Sequence, residues 1–222
     1  MAQTEPYSLE KLYDQRFDAT ERSRKMALWK ELCRSFFQKY VKETDTVLDL
    51  GAGYCEFINN IRCAKKYAVD LNEETKSFAA PDVEVIMSSA TDLSAFKDGT
   101  VDVVFASNIF EHLPTKEVLM EVLREIYRVL KPGGSVMVLQ PNIHYAYREY
   151  WDYLDHYLPL SHVSLAEAFG IVGLKVREVR PRLLPYSFKS RLPQSTFLLR
   201  VYLAVHPLHM VFGRQMFLLG VK

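Results

Sequence analysis

The chain has 222 residues, of which 49% are hydrophobic and 25% are charged, a balance typical of a globular protein with a full hydrophobic core. Its length favours one α/β domain over two small domains, and its formal net charge of +1 argues against a strongly basic nucleic-acid-binding protein. The three cysteines form neither a CxxC pair nor a Cys/His zinc pattern, which argues against a disulfide framework and leads us to expect no metal site.

Apolar periodicity predicts an alternation of helices and strands in the first half of the chain. Residues 25–41 and 115–130 repeat apolar side chains at helical spacing, and each segment predicts an amphipathic helix. Strands that alternate with helices indicate a parallel sheet covered on both faces, whose ligands bind at the carboxyl ends of the strands. The short apolar runs that predict buried strands are residues 46–50, 66–70, 83–87, 101–107 and 135–140.

The second half of the chain has a less regular pattern. Residues 141–160 are rich in aromatic residues and histidine. A capping box over Ser164–Glu167 predicts a helix that continues to about Gly170. The remaining predicted elements are a strand at 174–181, a basic and apolar insert at about 185–212 with a helix near 196–205, and a last strand at 215–221.

Positive charge is concentrated near the C-terminus. From Lys175 to Lys222 the chain carries nine lysines and arginines and one acid, Glu178, so this segment suits an anionic substrate or an anionic membrane surface. The longest apolar stretch, 197–212, is interrupted by polar residues and is shorter than the roughly 20 residues of a membrane span. Because no signal peptide opens the sequence, we expect a cytoplasmic protein, with peripheral membrane contact through 185–212 and a homodimer as open alternatives.

A glycine turn follows the first predicted strand. Gly51 and Gly53 let the backbone approach a ligand closely, and the helix expected after the turn would offer free N–H groups. Asp70 ends the next strand, where an acid can accept hydrogen bonds from ribose hydroxyls. These features fit any adenosine cofactor. Glu56, however, stands where a dinucleotide fingerprint has a small residue, and Asp49 before the turn suits a cation. Charge therefore favours S-adenosylmethionine, with its sulfonium and ammonium groups, over NAD.

Five segments, spread over residues 46–140, carry a family resemblance. They are Asp49–Gly53, Asp70, Ser89–Leu93, Asp102–Asn108 with Phe110–Leu113, and Arg128–Gly134. In this order they resemble the motifs of the class I S-adenosylmethionine-dependent methyltransferases, in their small-molecule, type 11-like branch. Cys55 departs from the pattern, because it stands where the family usually has a third glycine. The resemblance implies a Rossmann-like, doubly wound α/β fold with a seven-stranded, mostly parallel sheet and an antiparallel last strand.

The resemblance also implies how the cofactor S-adenosyl-L-methionine would be held. The glycine turn would contact its methionine moiety, the end of the second strand its ribose, and the loop after the third strand its adenine, while an asparagine would lie beside the transferred methyl group. Leu71 and Leu93 could equally be core residues. The residues concerned are, in that order, Asp49, Gly51 and Gly53; Asp70 and Leu71; Asp92 and Leu93; and Asn108.

One methyltransferase domain is expected to occupy residues 1–222. Residues 1–42 would form an N-terminal helical lid or cap, 43–140 the cofactor-binding half, and 141–222 the substrate half. In such a lid, Tyr13–Phe17 would fold over the cofactor; the alternative is a surface helix.

Transfer to an alcohol or ammonium acceptor needs a general base near neutral pH, and histidine suits that role. His144 and His156 are the candidates, because they follow the fifth strand, with Asp152 or Asp155 as orienting acids. A structural role is the alternative for each histidine, and His112 is a weaker candidate. The aromatic residues around them could form a wall for a sugar or aromatic acceptor, or could pack internally.

The favoured function is therefore an S-adenosylmethionine-dependent methyltransferase acting on oxygen or nitrogen of a small-molecule, sugar or lipid-linked acceptor. Lys189 and Arg191 in the basic insert would suit a phosphorylated or lipid-linked acceptor. The alternatives are an NAD-dependent Rossmann enzyme and a non-catalytic Rossmann-like interaction module. A nucleic-acid methyltransferase is disfavoured, because Ser107–Phe110 stands where an Asn/Asp-Pro-Pro-Tyr motif would be expected beside a flipped base.

Overall fold

The computed structural model describes residues 19–186 and 195–222. Within those residues, seven strands form one sheet: β1 (Thr46–Leu50), β2 (Lys65–Asp70), β3 (Val83–Met87), β4 (Val101–Ser107), β5 (Leu130–Pro141), β6 (Lys175–Leu184) and β7 (Gln215–Val221). Their order in the sheet is β3-β2-β1-β4-β5-β7-β6. β7 runs antiparallel to β5 and β6, and the remaining neighbours pair in parallel. The predicted fold, a mostly parallel sheet of seven strands with an antiparallel last strand, is confirmed.

Helices pack on both faces of this sheet. Two of the predicted helices, near 115–130 and 196–205, are confirmed to within one residue at each end. Along the described part of the chain, no helix has the length and apolarity to cross a lipid bilayer. The helices are α1 (Ala19–Ser35), α2 (Thr75–Phe78), α3 (Lys116–Val129), α4 (Ile143–Ala146), α5 (His162–Ile171), α6 (Thr196–Ala204) and α7 (His206–Phe212), with 3-10 turns at Phe37–Tyr40, Phe110–His112 and Tyr150–Asp152.

Alternation along the buried strands divides the core into two layers. Leu48 and Leu50 of β1 share a cluster with Leu123 of α3 and with residues of α5. Val47 points to the opposite face, where it belongs to a cluster with Leu32 of α1 and with residues of α6. Because both faces of β1 are covered, its sequence is an apolar run rather than an alternation of apolar and polar residues.

Two helix starts differ from the sequence-based expectation. The helix expected at 25–41 begins at Ala19 and ends at Ser35, after which the chain continues as a 3-10 turn. The capping box predicted over Ser164–Glu167 is wrong, because Ser161 is the cap. Its hydroxyl accepts from the Ser164 N–H at 3.1 Å, and the Ser164 hydroxyl accepts from the Ser161 N–H at 3.0 Å.

The segment after the glycine turn is not the regular helix that the sequence predicted. Residues 53–60 form consecutive turns, and Cys55 has a φ of 58°, a left-handed conformation that a right-handed helix cannot include. Helix-like bonds resume only beyond it, from Asn59 N–H to the Cys55 carbonyl and from Ile61 N–H to the Phe57 carbonyl, both at 3.1 Å. The segment therefore lacks the helical N-terminus that a pyrophosphate would use.

A bidentate ion pair fastens α6 to α1. Arg200 donates from Nε and Nη2 to the two carboxylate oxygens of Glu31, at 2.6 and 2.9 Å. The Arg200 hydrogen bonds lower the pKa of the Glu31 carboxyl to about 2, and bonds from Ser35 and Arg34 add to this effect against the opposing effect of burial. Leu199 and Tyr202 of α6 lie in the core beside this pair.

We expect Glu31→Gln to lower the free energy of unfolding by about 1–3 kcal/mol at pH 7, because it removes charge-assisted hydrogen bonds from a buried site. The carboxylate has a lower pKa folded than unfolded, so its contribution is complete above about pH 5 and is lost as the pH falls towards 2. Denaturant unfolding at pH 7, 5 and 3 measures the effect. Glu43→Gln is the control, because its pair with Arg62 spans 3.8 Å between exposed side chains and is expected to contribute less than about 0.5 kcal/mol. Equal losses in both variants would contradict the prediction.

Candidate active site

The glycine turn and the acid at the end of β2 are hydrogen-bonded to each other. The N–H of Gly53 donates to Oδ2 of Asp70 at 2.7 Å, and the N–H of Asn72 donates to Oδ1 at 2.8 Å. The N–H of Gly51 donates to the Val69 carbonyl at 2.8 Å. Because β1 and β2 are parallel neighbours, both features lie at the same edge of the sheet. The carboxylate is thereby oriented, and each of its oxygens keeps a lone pair for a ligand.

Three acids surround this bend. Asp49 is buried at the end of β1, and burial raises the pKa of its carboxyl well above the usual range, with the nearby carboxylates of Glu56 and Asp70 acting in the same direction. Lys25 offsets part of this charge through an ion pair with Glu56 at 2.8 Å. A group of carboxylates like this repels pyrophosphate, and a cation that enters the site stabilises their ionised form.

Gly51 and Gly53 have different roles in the bend. Gly51 has a φ of 70°, and a Cβ added there would lie 2.5 Å from Cδ1 of Ile109, so this glycine allows the loop after β4 to pack against the turn. Gly53 has a φ of 49°, and an added Cβ would have no described atom within 4 Å. Gly53 therefore presents its backbone to open space, as a ligand cradle requires.

Cys55 occupies the position where a third glycine was expected. Its φ of 58° lies in the left-handed region, which a glycine adopts without steric cost and a cysteine does not. The substitution thus keeps the glycine-like backbone rather than abolishing the turn. Its thiol is buried and points away from water, and burial raises the pKa of the thiol to about 12.

The residues predicted to hold the nucleoside lie at the end of β2 and in the loop after β3. Leu71 is exposed just beyond β2, and Asp92 is exposed with its carboxylate accepting from the Ser94 N–H at 3.0 Å. Leu93 is buried in the core with Phe96, and its N–H donates to the carboxylate of Glu125 at 3.1 Å. Leu93 therefore packs as a core residue, while Leu71 and Asp92 are accessible.

Asn108 lies directly after β4. Its φ of 50° is left-handed, its N–H donates to the Leu139 carbonyl at 2.9 Å, and its amide donates to the Ser107 hydroxyl at 3.1 Å. The next residue, Ile109, is the one that packs against Gly51. The chain thus brings Asn108 to the same sheet edge as the acidic bend.

The two candidate bases occupy different environments. His144 is exposed on α4 and contributes to a cavity of about 200 Å³ that Arg148 and Arg214 also line. His156 is buried, and its ring packs on Tyr153 with the centroids 4.9 Å apart. The structure therefore places His144 next to open space and His156 inside the protein.

The two candidate orienting acids, Asp152 and Asp155, occupy different environments. Asp152 is exposed, whereas Asp155 is buried and faces His112, with its Oδ2 at 3.3 Å from Nδ1 of that ring. The aromatic residues of 141–160 do not form one wall either, because Tyr150 is fully buried while Trp151 is largely exposed. Tyr13–Phe17, Lys189 and Arg191 lie outside the described residues.

Sequence reasoning missed one buried acid, Glu111. Burial raises the pKa of its carboxyl to about 7, and its carbonyl accepts from the N–H groups of Tyr157 and Leu158, at 2.8 and 3.1 Å. The position of Glu111 beside His112 was the available signal, but no pattern in the sequence shows that the segment containing His156 packs on it.

Residues 48–138, which contain the bend, Asp70 and Asn108, match the model of a family described as a methyltransferase domain. Residues 48–138 are therefore similar to a methyltransferase domain. The match begins within β1 and ends within β5, so the matched segment includes the acidic bend and the strands that position it.

The chain is also similar to one named relative and to several solved structures. Over 117 residues the chain is 27% identical to an Aspergillus luteorubrus protein named probable methyltransferase ltbC, a match that covers 45% of this chain and 41% of that protein. The match thus spans less than half of that relative's length. Solved structures of S-adenosylmethionine-dependent methyltransferases share the fold. The Archaeoglobus fulgidus protein has a TM-score of 0.67 and is 23% identical, and the match covers 97% of this chain and 100% of that chain. The Aquifex aeolicus protein has a TM-score of 0.58 and is 18% identical, and the match covers 97% of this chain and 98% of that chain.

We expect Gly51→Ala and Gly53→Ala to separate stability from ligand binding in the glycine turn. Both place a Cβ on left-handed backbone, which costs about 1 kcal/mol, but only Gly51→Ala also drives that Cβ into Ile109. Gly51→Ala should therefore lower the melting temperature more, while Gly53→Ala should retain most of the stability and weaken S-adenosylhomocysteine binding. Thermal unfolding and calorimetry measure the two effects. Gly53→Ala binding the ligand like the parent protein would show that the cradle lies elsewhere.

Proposed function

We propose that this protein transfers a methyl group from S-adenosylmethionine to an oxygen or nitrogen atom of a small-molecule, sugar or lipid-linked acceptor. The observation that carries the proposal is the hydrogen bond between the Gly53 N–H and the Asp70 carboxylate at 2.7 Å, in a bend that also contains buried Asp49. This hydrogen bond holds the open backbone at Gly53 next to an acid at the end of β2, the position where an acid can bind ribose hydroxyls.

The residues of the bend fit a cationic nucleoside. Space beside Gly53 leaves room for a ligand, and the buried carboxyl of Asp49, with its raised pKa, gains a favourable partner when a positive charge approaches. The same acids oppose the two phosphates of NAD, and the irregular segment after the turn lacks the helix N-terminus that would bind them. Charge and backbone geometry thus both favour S-adenosylmethionine over a dinucleotide.

S-adenosylmethionine, when bound, supplies a methyl group that its sulfonium has already activated. The protein's own contribution is to position the acceptor in line with that methyl group, to exclude water and to accept a proton. Asp49, Gly51 and Gly53 would hold the methionine end. The end of β2 and the loop after β3 would hold the nucleoside through Asp70, Leu71 and Asp92, and Asn108 would border the reacting groups.

His144 is the better placed of the two candidate bases. It is exposed on α4 and borders the cavity whose charged lining also includes Arg148, Glu149 and Arg214. Two arginines against one glutamate favour an acceptor with an anionic group such as a phosphate or carboxylate. His156 is enclosed by aromatic rings, which suits a positioning role.

We expect calorimetry to detect S-adenosylhomocysteine binding by the full chain, and Asp70→Ala to weaken it at least about tenfold, since the variant removes the acceptor for both the ribose and the Gly53 N–H. Glu84→Gln on the exposed side of β3 is the matched control and should bind like the parent protein. Lack of binding at millimolar ligand, or tight NADH binding in its place, would overturn the proposed function. Ligand binding without turnover over a panel of acceptors would favour the interaction-module alternative.

The surface of the C-terminal helices α6 and α7 suits contact with an anionic membrane. Such contact would place the candidate site close to a lipid-linked acceptor. On α6 and α7, Phe197, Met210 and Val211 are 67%, 64% and 61% exposed, and the surrounding segment is strongly basic. Exposed apolar side chains next to lysine and arginine are typical of peripheral membrane proteins. An interface between two copies of the chain would use the same apolar side chains.

We expect the full chain to cosediment with vesicles that contain phosphatidylglycerol and much less with neutral phosphatidylcholine vesicles, because basic residues favour an anionic surface. The triple variant Phe197→Ser, Met210→Ser, Val211→Ser should lose most of this binding. Ile171→Ser is the control, because Ile171 on α5 is equally exposed, at 69%, but lies outside the basic segment. Equal binding by all three proteins would contradict membrane contact, and a concentration-dependent dimer lost only in the triple variant would identify the copy–copy interface.

A further inference from the structure

Three side chains of types that commonly ligate metals lie close together near the carboxyl end of β4. None of them is among the residues predicted to bind the cofactor. Glu111 and His112 belong to the 3-10 turn after β4, and His156 comes from the segment after the 3-10 turn at Tyr150–Asp152. One ligand atom from each of the three side chains lies within 4.8 Å of the others. We refer to Glu111, His112 and His156 as the Glu-His-His cluster.

The Glu111 carboxylate has a buried oxygen that lacks a hydrogen-bond partner among the described residues. The residue is 2% exposed, and its Oε2 has no hydrogen-bond partner among the residues that the structure describes. A buried carboxylate oxygen without a partner is unfavourable unless something else satisfies it. The unpartnered oxygen belongs to the same side chain that meets the two imidazoles, so a cation held between them would satisfy it.

His112 is oriented as a metal-ligating histidine usually is. Nδ1 of His112 lies 2.8 Å from the carbonyl oxygen of Asp155 and 3.3 Å from its carboxylate, so this nitrogen carries the proton and Nε2 has the free lone pair. Nδ1 of His156 lies 3.5 Å from the Tyr186 hydroxyl. An imidazole whose other nitrogen is held by a carbonyl or carboxylate is the common arrangement around protein-bound metals.

The backbone keeps the cluster together. The Glu111 carbonyl accepts hydrogen bonds from the N–H groups of Tyr157 and Leu158, which fixes the segment containing His156 against the turn that contains Glu111 and His112. The rings of His112 and His156 meet edge to face with their centroids 5.0 Å apart. The His112 side chain is 30% exposed, which leaves a path for an ion and for a further ligand.

We propose that the Glu-His-His cluster binds a divalent transition-metal ion, with an open coordination position for an oxygen of the acceptor. Two imidazoles and one carboxylate are a ligand set for Zn²⁺, Fe²⁺, Co²⁺ or Mn²⁺, whereas Mg²⁺ and Ca²⁺ prefer oxygen ligands. The three ligand atoms lie within 4.8 Å of one another, so small side-chain movements would bring them to the bond lengths of about 2.0–2.1 Å that such an ion requires.

This inference rests on the proposed function and narrows its substrate class to acceptors with a hydroxyl group. A metal ion held by these residues would lower the pKa of a coordinated hydroxyl, whose proton would pass to water. The oxygen lone pair then forms the new C–O bond as the methyl C–S bond breaks, and S-adenosylhomocysteine leaves with the sulfur electron pair. The cluster is near this reaction because Glu111 follows Asn108 in the loop after β4.

Titration of Co²⁺ into the chelator-treated full chain tests the site without requiring catalysis. We expect one equivalent of Co²⁺ to give visible d–d absorption and Zn²⁺ to displace it. Glu111→Gln and His156→Gln should each weaken Co²⁺ binding at least about tenfold. The matched controls are Glu121→Gln on the exposed side of α3 and His206→Gln at the start of α7, both on the surface, and they should bind Co²⁺ like the parent protein.

Co²⁺ binding that survives both cluster variants, or absence of stoichiometric binding by the parent protein, overturns the proposal. Circular dichroism and S-adenosylhomocysteine calorimetry on each variant show whether it is folded. Should both Gln variants fail to fold, His112→Asn is the alternative ligand variant, and a rise in melting temperature of the parent protein with Zn²⁺ is the second measurement. A protein that binds Co²⁺ at the cluster but not S-adenosylhomocysteine would refute the methyltransferase proposal and leave the metal site standing.

Discussion

The arrangement of the candidate site depends on one hydrogen bond, from the Gly53 N–H to the carboxylate of Asp70. It forms because β1 and β2 are adjacent and parallel, so the turn after one strand and the last residue of the next meet at the same edge of the sheet. It also requires left-handed backbone at Gly51 and Gly53. A side chain at Gly51 would collide with Ile109, which belongs to the loop after β4, and the turn is thereby tied to three strands at once.

Charge determines what such a turn can bind. Glu56 and Asp70 give the bend a negative field with Lys25 as a partial counter-charge, and the raised pKa of buried Asp49 means that its carboxyl is charged most readily when a cation is near. The same fold with small neutral residues and a regular helix after the turn would accept a pyrophosphate. The left-handed Cys55 removes that helix start, and the acids remove the remaining affinity for phosphate. A nucleoside with a sulfonium fits the charge and the backbone of the site.

The second half of the chain adds groups at the same sheet edge. His144 lines a cavity with two arginines, while His156 is drawn inward to His112 and Glu111 by backbone hydrogen bonds to the Glu111 carbonyl. On the face of the sheet covered by α1 and α6, Arg200 pairs with Glu31 and anchors α6 to α1. Several apolar side chains of α6 and α7 nevertheless remain exposed.

The sequence by itself determined the sheet and the positions of the residues that we predict to bind the cofactor. Apolar runs identify strands buried on both faces, and the positions of Asp49, Gly51, Gly53 and Asp70 are local: each lies in or next to a strand end, where sequence spacing fixes the geometry. The tertiary structure alone decided the histidine environments. His112, Asp155 and His156 meet through contacts between segments far apart in the chain, and no periodicity encodes which buried side chain lacks a partner. The sequence pattern also does not reveal the backbone conformation after the glycine turn. A cysteine at position 55 gives no sign that it adopts left-handed backbone, which prevents the expected helix from starting there.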